Sequence, residues 1–166
     1  MSDLDTPQAE NTPNNAVQVT VQKIYLKNAS VEIPHAPAIY TKAWEPTLDV
    51  QVSSNAVMLD QQNCEVTLTT TVTAKNADET AYLVEVQQAG IFGLIGLTDG
   101  NQMQAIMATF CPNVLFPYLR QIVSSLIQQA DFPPFILQPI NFEAVYQQHL
   151  TEQAKAVAEA GAQTKH

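Results

Sequence analysis

Apolar and polar residues alternate from Val17 onward, with Val17, Val19 and Val21 separated by Gln18 and Thr20. A period of two predicts a strand with one buried face. The phase drifts through Ile24, Tyr25 and Leu26, as it does at a bulge or a strong twist. A second alternation places Leu48, Val50 and Val52 on one face and Asp49, Gln51 and Ser53 on the other. The third is the clearest. Cys64, Val66, Leu68, Thr70, Val72 and Ala74 alternate with Glu65, Thr67, Thr69, Thr71 and Thr73. Threonine suits the outer face because it is β-branched, holds extended geometry and stays wettable. A polar turn over residues 75–79 leads to a fourth strand, with Tyr82, Val84 and Val86 inward and Leu83, Glu85 and Gln87 outward. Short connections between such strands predict an antiparallel meander covered on one face only.

After Gly90 the period changes. Gly90, Gly93 and Gly96 punctuate an apolar passage, and residues 101–107 read as a short helix. Pro112 suits the first turn of a longer helix ending near Gln129, and Pro117 should bend that helix or delay its regular start. Its stripe, running from Leu115 and Phe116 through Leu119, Ile122 and Val123 to Leu126 and Ile127, is wider than one core contact needs. In a chain this short, the second covering surface is expected to be another subunit. Asn141 is placed to cap a last helix, with Ile140 set to staple against Val145. Phe142, Val145, Tyr146, His149 and Leu150 share one face of it. The expected fold is therefore α+β, a four-stranded antiparallel sheet with C-terminal helices packed on one face. Residues 1–16 are polar and read as a flexible leader, 17–150 as the folded domain, and 151–166 as a mobile tail without an apolar stripe.

The connection over residues 33–46 is unlike the rest. Pro34, Pro37 and Pro46 exclude a central strand or a regular helix there, yet Ile39, Tyr40 and the only tryptophan, Trp44, lie within it. A long connection carrying aromatics must pack them on something, and such segments often bear function.

Composition narrows the partners. Of 166 residues, 46% are hydrophobic, enough for one domain with a real core. Only 7 Lys and Arg stand against 16 Asp and Glu, and Arg120 is the sole arginine. A net charge of −9 argues against nucleic acid and anionic lipid and favours basic partner surfaces. The N-terminus lacks the basic start and apolar core of a signal peptide. The longest apolar run, residues 89–97, is too short to cross a bilayer, so no membrane insertion is expected. Cys64 and Cys111 have no CxxC partner and read as free thiols in a reducing cytosol. Asn28-Ala29-Ser30 fits the glycosylation pattern, which has no acceptor role without secretion. The expected location is cytoplasmic.

No catalytic, metal-binding or cofactor constellation emerges. His35 lies between prolines, His149 on the last helix and His166 at the end, none with a ligand or base at workable spacing. The glycines fit neither a dinucleotide fingerprint nor a phosphate loop. What remains is interaction surface: an exposed sheet face, an aromatic loop and surplus apolar helix. Such a surface suits extended clients paired strand-like, with pockets for alternate side chains.

Several passages carry a closer likeness. They are Lys23-Ile24-Tyr25-Leu26-Lys27, then Pro34-His35-Ala36-Pro37 followed by Trp44, then the run from Glu79 to Phe92 that includes Tyr82-Leu83-Val84-Glu85. Further on come Thr109-Phe110-Cys111-Pro112-Asn113 continuing to Pro117-Tyr118, Phe132-Pro133, and Pro139-Ile140-Asn141-Phe142. With them the chain resembles the SecB family of bacterial protein-export chaperones over residues 19–150.

The resemblance implies a homotetramer, a dimer of dimers, with helices between the two sheet layers. It implies no enzymatic activity and no cofactor. The function it implies is to hold precursor proteins unfolded and pass them to SecA, the translocation motor. Leu48, Val50 and Val52 would floor a client groove, and Ile39, Tyr40, Trp44, Val145 and Tyr146 would wall it. Period two alone would equally make Leu48, Val50 and Val52 ordinary core. The motor-binding face would map to Glu32, Leu83 and Glu85. Asn28 stands where the family often has an acid, and the tail ends Gln163-Thr164-Lys165-His166 rather than acidic. The alternative is a SecB-like chaperone dedicated to another partner, such as a toxin–antitoxin pair; an acidic outward patch favours export.

Overall fold

A computed structural model describes residues 16–163. Four strands come first: β1 (Gln18–Glu32), β2 (Pro46–Met58), β3 (Asn63–Asn76) and β4 (Glu79–Ile95). Three helices follow: α1 (Gly100–Ala108), α2 (Phe110–Gln129) and α3 (Phe142–Gln163). Apart from Ala16, the expected leader lies outside the described residues, as do residues 164–166.

The strands form one antiparallel sheet in the order β1-β4-β3-β2. The meander holds for β2, β3 and β4, but β1 joins at β4 rather than beside β2. The long proline-bearing connection explains this, because it is no hairpin and leads from one sheet edge to the other. The expected phase drift in β1 is real: its register slips between Val21 and Lys23 and again between Leu26 and Asn28. Alternation holds over Leu68–Ala74 of β3 and Tyr82–Gln88 of β4, while the β3–β4 register slips between Ala74 and Lys75. Val50, Val72, Val84 and Val31 form one cross-strand row on the helix-facing side, and Val72 and Val84 are fully buried.

Two expectations need correcting in β4 and α2. The strand does not end at Gly90 but runs to Ile95, with Gly90 and Gly93 inside it. These glycines serve close approach. A Cβ at Gly90 would lie 3.0 Å from Leu115 of α2 and 3.1 Å from the Lys23 carbonyl oxygen, and one at Gly93 would lie 2.5 Å from Thr20 Oγ1. Likewise Pro117 does not delay α2, which begins at Phe110 with both prolines inside it. Pro117 and Asn113, four residues back, are both exposed, so the carbonyl that proline cannot serve lies on the wet side.

α2 lies on β4 and β3 through Cys111, Leu115, Leu119, Val123 and Ile127, all fully buried. Their spacing of four residues makes one stripe. Ile122 and Leu126 are half-buried beside it, while Phe110 and Tyr118 are exposed. α1 is capped by Asp99, which accepts from the Asn101 amide at 2.9 Å. α3 is capped as anticipated: Asn141 Oδ1 accepts from the Ala144 amide at 3.0 Å. The helix does not stop near Leu150 but continues to Gln163, carried by helix-favouring Ala, Gln and Glu, with residues 151–162 exposed.

Candidate functional site

β2 is a sheet edge, and α2 leaves it uncovered. Leu48 and Val50 are each 39% exposed, and Val52 is half-buried. Their cross-strand partners Ala74, Val72 and Thr70 are all fully buried. These three apolar β2 residues thus share the core-facing side of the sheet, yet Leu48 and Val50 lie open and Val52 is only partly covered. Neither face assignment alone anticipated this, because the deciding fact is how far the helical layer reaches.

At one end of this track stands the aromatic connection. Trp44 stacks on Tyr82 at 6.4 Å, and Phe132 packs on Tyr82 at 4.8 Å, on Tyr40 at 5.1 Å and on Trp44 at 5.2 Å. Tyr82 belongs to the same cross-strand row as Leu48. Several bonds hold the connection in place. The buried Asn76 donates to the Ala43 carbonyl at 2.8 Å and accepts from the Glu45 amide at 2.9 Å. Tyr40 donates its hydroxyl to the Ala130 carbonyl at 2.7 Å, and Lys42 pairs with Glu79. That hydrogen-bonded ion pair holds the Glu79 carboxyl below its ordinary range. Ile39 is a correction. Expected on a groove wall, it is 2% exposed and lies in the core, as the buried residue of the 3-10 turn Ala38–Thr41.

At the other end the track enters a cleft of about 680 Å³. β2 lends it Val52, Ser54 and Ala56, α1 lends Gln104 and Met107, and α3 lends Phe142, Val145, Tyr146 and His149. Eight residue steps separate Leu48 from Ala56, a run of roughly 27 Å of extended strand. Between the ends, residues 132–140 are tied to α2. Arg120 Nε donates to the Leu137 carbonyl at 2.8 Å, and Ser124 Oγ to that of Phe135 at 2.9 Å. Leu48, Val50, Val52, Tyr40, Trp44, Val145 and Tyr146 are thereby brought along one line. Phe132, Ala56, Met107 and Ile140 were missed as site residues. Only Phe132 carried a signal, as an aromatic beside the prolines that end α2.

The opposite face of the sheet is polar. Glu32, Leu83, Thr73 and Asp49 form one cross-strand row; Ser30, Glu85, Thr71 and Gln51 form the next, followed by Asn28, Gln87, Thr69 and Ser53. Glu32, Leu83 and Glu85 therefore meet at one end, with Asn28 two rows from Glu32. Among the described residues neither Glu32 nor Glu85 has an ion-pair partner. Glu65, further along this face, is compensated: Lys27 pairs with it at 2.6 Å and the Tyr25 hydroxyl donates to it. Those bonds hold the Glu65 carboxyl below its ordinary range, and the bond to Glu65 pushes the Tyr25 phenol up to about 12. Cys64 and Cys111 are free and buried; the contact with Cys64, together with burial, pushes the Cys111 thiol up.

Residues 12–153 match the family model described as preprotein translocase subunit SecB. The chain belongs to the SecB family. It is a protein-export chaperone by that membership. A protein-export protein SecB of Xylella fastidiosa is 44% identical over 147 residues, covering 89% of this chain and 85% of the relative. One from Chromobacterium violaceum is 46% identical, covering 82% and 91%, and one from Legionella pneumophila 42%, covering 88% and 90%. A solved SecB-like chaperone of Mycobacterium tuberculosis, in complex with a peptide of the HigA1 antitoxin, superimposes with a TM-score of 0.61. It covers 74% of this chain and 90% of its own at 21% identity, a likeness of fold. Within the SecB fold, then, the open β2 track and the acidic end of the outer face lie on opposite sides of one sheet. No helix among the described residues is long and apolar enough to cross a membrane.

Proposed function

We propose that this SecB-family chaperone holds unfolded precursor segments along the track from Trp44 and Leu48 to Val145 and Tyr146. The supporting observation is the open β2 face, with Leu48 and Val50 each 39% exposed beside fully buried partners. An extended segment can pair with the free main-chain edge of β2 while its alternate side chains enter the aromatic end and the cleft. No bond is made or broken and no cofactor is needed; the protein acts by delaying collapse. The expected assembly is a homotetramer, a dimer of dimers in the cytoplasm. Burying Phe110 and Tyr118, exposed at 42% and 47%, against a second copy would account for the surplus width of α2.

Delivery is proposed to run through the outer face, where unpaired Glu32 and Glu85 flank Leu83 and suit a basic, partly apolar surface of SecA. Placing Asn28 beside this patch leaves it with less charge than the family pattern, so the contact should be salt-sensitive. Two measurements test the pair of surfaces. A slow-folding precursor diluted from denaturant should refold more slowly with the protein present, and Val145→Asp should relieve the delay; an unaltered refolding rate overturns the groove. Glu85→Lys should weaken SecA binding roughly tenfold while leaving that delay intact; unchanged SecA affinity overturns the outer-face assignment. A chaperone dedicated to a toxin–antitoxin pair is the weaker reading, since its structural likeness is at 21% identity whereas the 42–46% relatives carry the export name.

A further inference from the structure

Two thiols and four thioethers carry the sulfur of the chain. The thiols of Cys64 and Cys111 are both fully buried, so an oxidant in solution reaches neither. The methionines differ from one another. Met58 is 40% exposed, and Met107 is half-buried at the wall of the open cleft. Met103 is half-buried off the cleft, and Met1 lies outside the described residues.

Both accessible thioethers belong to the client track. Counting by twos along β2 from Leu48 leads through Val50, Val52, Ser54 and Ala56 to Met58, on the same helix-facing side. Met58 pairs across the sheet with the fully buried Cys64, just as the exposed Val50 pairs with the buried Val72. Met107 comes from α1 and lines the cleft together with Val145 and Tyr146 of α3. Unbranched and polarisable, methionine adapts to apolar partners of varied shape. A sulfoxide does not. Covering its oxygen with an apolar client strips that oxygen of water, a cost the thioether does not carry.

Resting on the groove reading above, we propose that Met58 and Met107 are modification sites through which a hydroperoxide lowers the affinity of the track for unfolded precursor segments. The thioether sulfur attacks a peroxide oxygen with its lone pair, and the O–O bond breaks as the S–O bond forms. The proton left on the new oxygen passes to the departing hydroxide, so methionine loses two electrons and sulfoxide and water result. The fold is kept, because both sulfurs have an open side where the oxygen lies in water.

The test uses the full chain, treated with hydrogen peroxide and then freed of it. Binding of a fluorescent peptide rich in leucine and valine, without methionine, cysteine or tryptophan, is read by anisotropy. Peptide mapping by mass should find an added oxygen on Met58 and on Met107, and affinity should fall roughly fivefold against the untreated protein. Circular dichroism and light scattering should stay as they were. With treated and untreated protein compared within each variant, Met58→Leu combined with Met107→Leu should abolish the fall, whereas Met103→Leu should leave it in place. Four results overturn the proposal and leave the groove standing: sulfoxide at both positions without a fall, an equal fall in the double variant, protection by Met103→Leu, or a fall that comes with unfolding. Both methionines staying unoxidised overturns it likewise. Failure of the untreated protein to bind the peptide overturns the groove and this inference together.

Discussion

Val50 and Val72 face each other across the β2–β3 pair, one 39% exposed and the other fully buried. The same substitution should therefore do different things at the two positions. Val50→Arg should cost less than about 1 kcal/mol of stability, because the charge stays wet, yet weaken client binding roughly tenfold by charging the track. Val72→Arg should cost about 4 kcal/mol or more, since the charge is buried without a partner. Urea midpoints and peptide anisotropy separate the effects. If Val50→Arg unfolds the protein as Val72→Arg does, the β2 face is core and the track does not exist.

Also at this scale, the Tyr25–Glu65–Lys27 cluster fixes a pH signature. The folded Glu65 carboxyl titrates below its ordinary 4.5, so its contribution is present above that value and is lost as pH falls through the lower folded one. Tyr25 is raised from 10.0 to about 12, so its contribution is full below 10 and is lost as pH rises through about 12. Both groups are partly solvated, which makes each arm small. Glu79 and Asp60 are also held low and add to the acid arm, so the difference from a variant carries the information. The stability lead of the unsubstituted protein over Glu65→Gln should shrink below pH 4.5 and above pH 10. An equal lead at all pH values would mean that the cluster does not form.

Among the elements, the aromatic connection depends on a side chain from the β3 end. Asn76 bridges Ala43 and Glu45, on either side of Trp44. Asn76→Ala leaves a main-chain donor and acceptor unpaired and should cost about 1–3 kcal/mol. Because Trp44 is the sole tryptophan, its fluorescence reports the loop directly. The emission should shift to longer wavelength as the stack on Tyr82 loosens; an unchanged spectrum would show that the aromatic contacts hold the loop by themselves.

The strands were legible wherever one face was buried, because period two then fixes side and register together. That is why Tyr82, Val84 and Val86 were placed correctly, and why Glu32, Leu83 and Glu85 proved to be neighbours. The glycines of β4 misled, since a residue chosen for close approach to Leu115 looks in sequence like a breaker. The depth of Ile39 and the contribution of α1 to the cleft were not legible. Both depend on where helices settle over the sheet, a matter of tertiary packing with no local periodic signal.

As a whole molecule, the protein separates two surfaces by the thickness of one sheet. The helix-facing side leaves an apolar track open along β2, and the outer side gathers unpaired acid at one end. A client and a delivery partner could thus be engaged together without competing for the same residues. Holding, in this account, is a consequence of incomplete coverage: α2 closes the core over β3 and β4 and stops short of the edge strand.

The most direct test of that claim is mass by light scattering, with and without an unfolded precursor. Alone, the protein should run at four times the 18.2 kDa chain. With the precursor freshly diluted from denaturant, the peak should gain the client's mass, and with the same precursor already folded it should not. No gain in mass with the unfolded precursor would contradict the account.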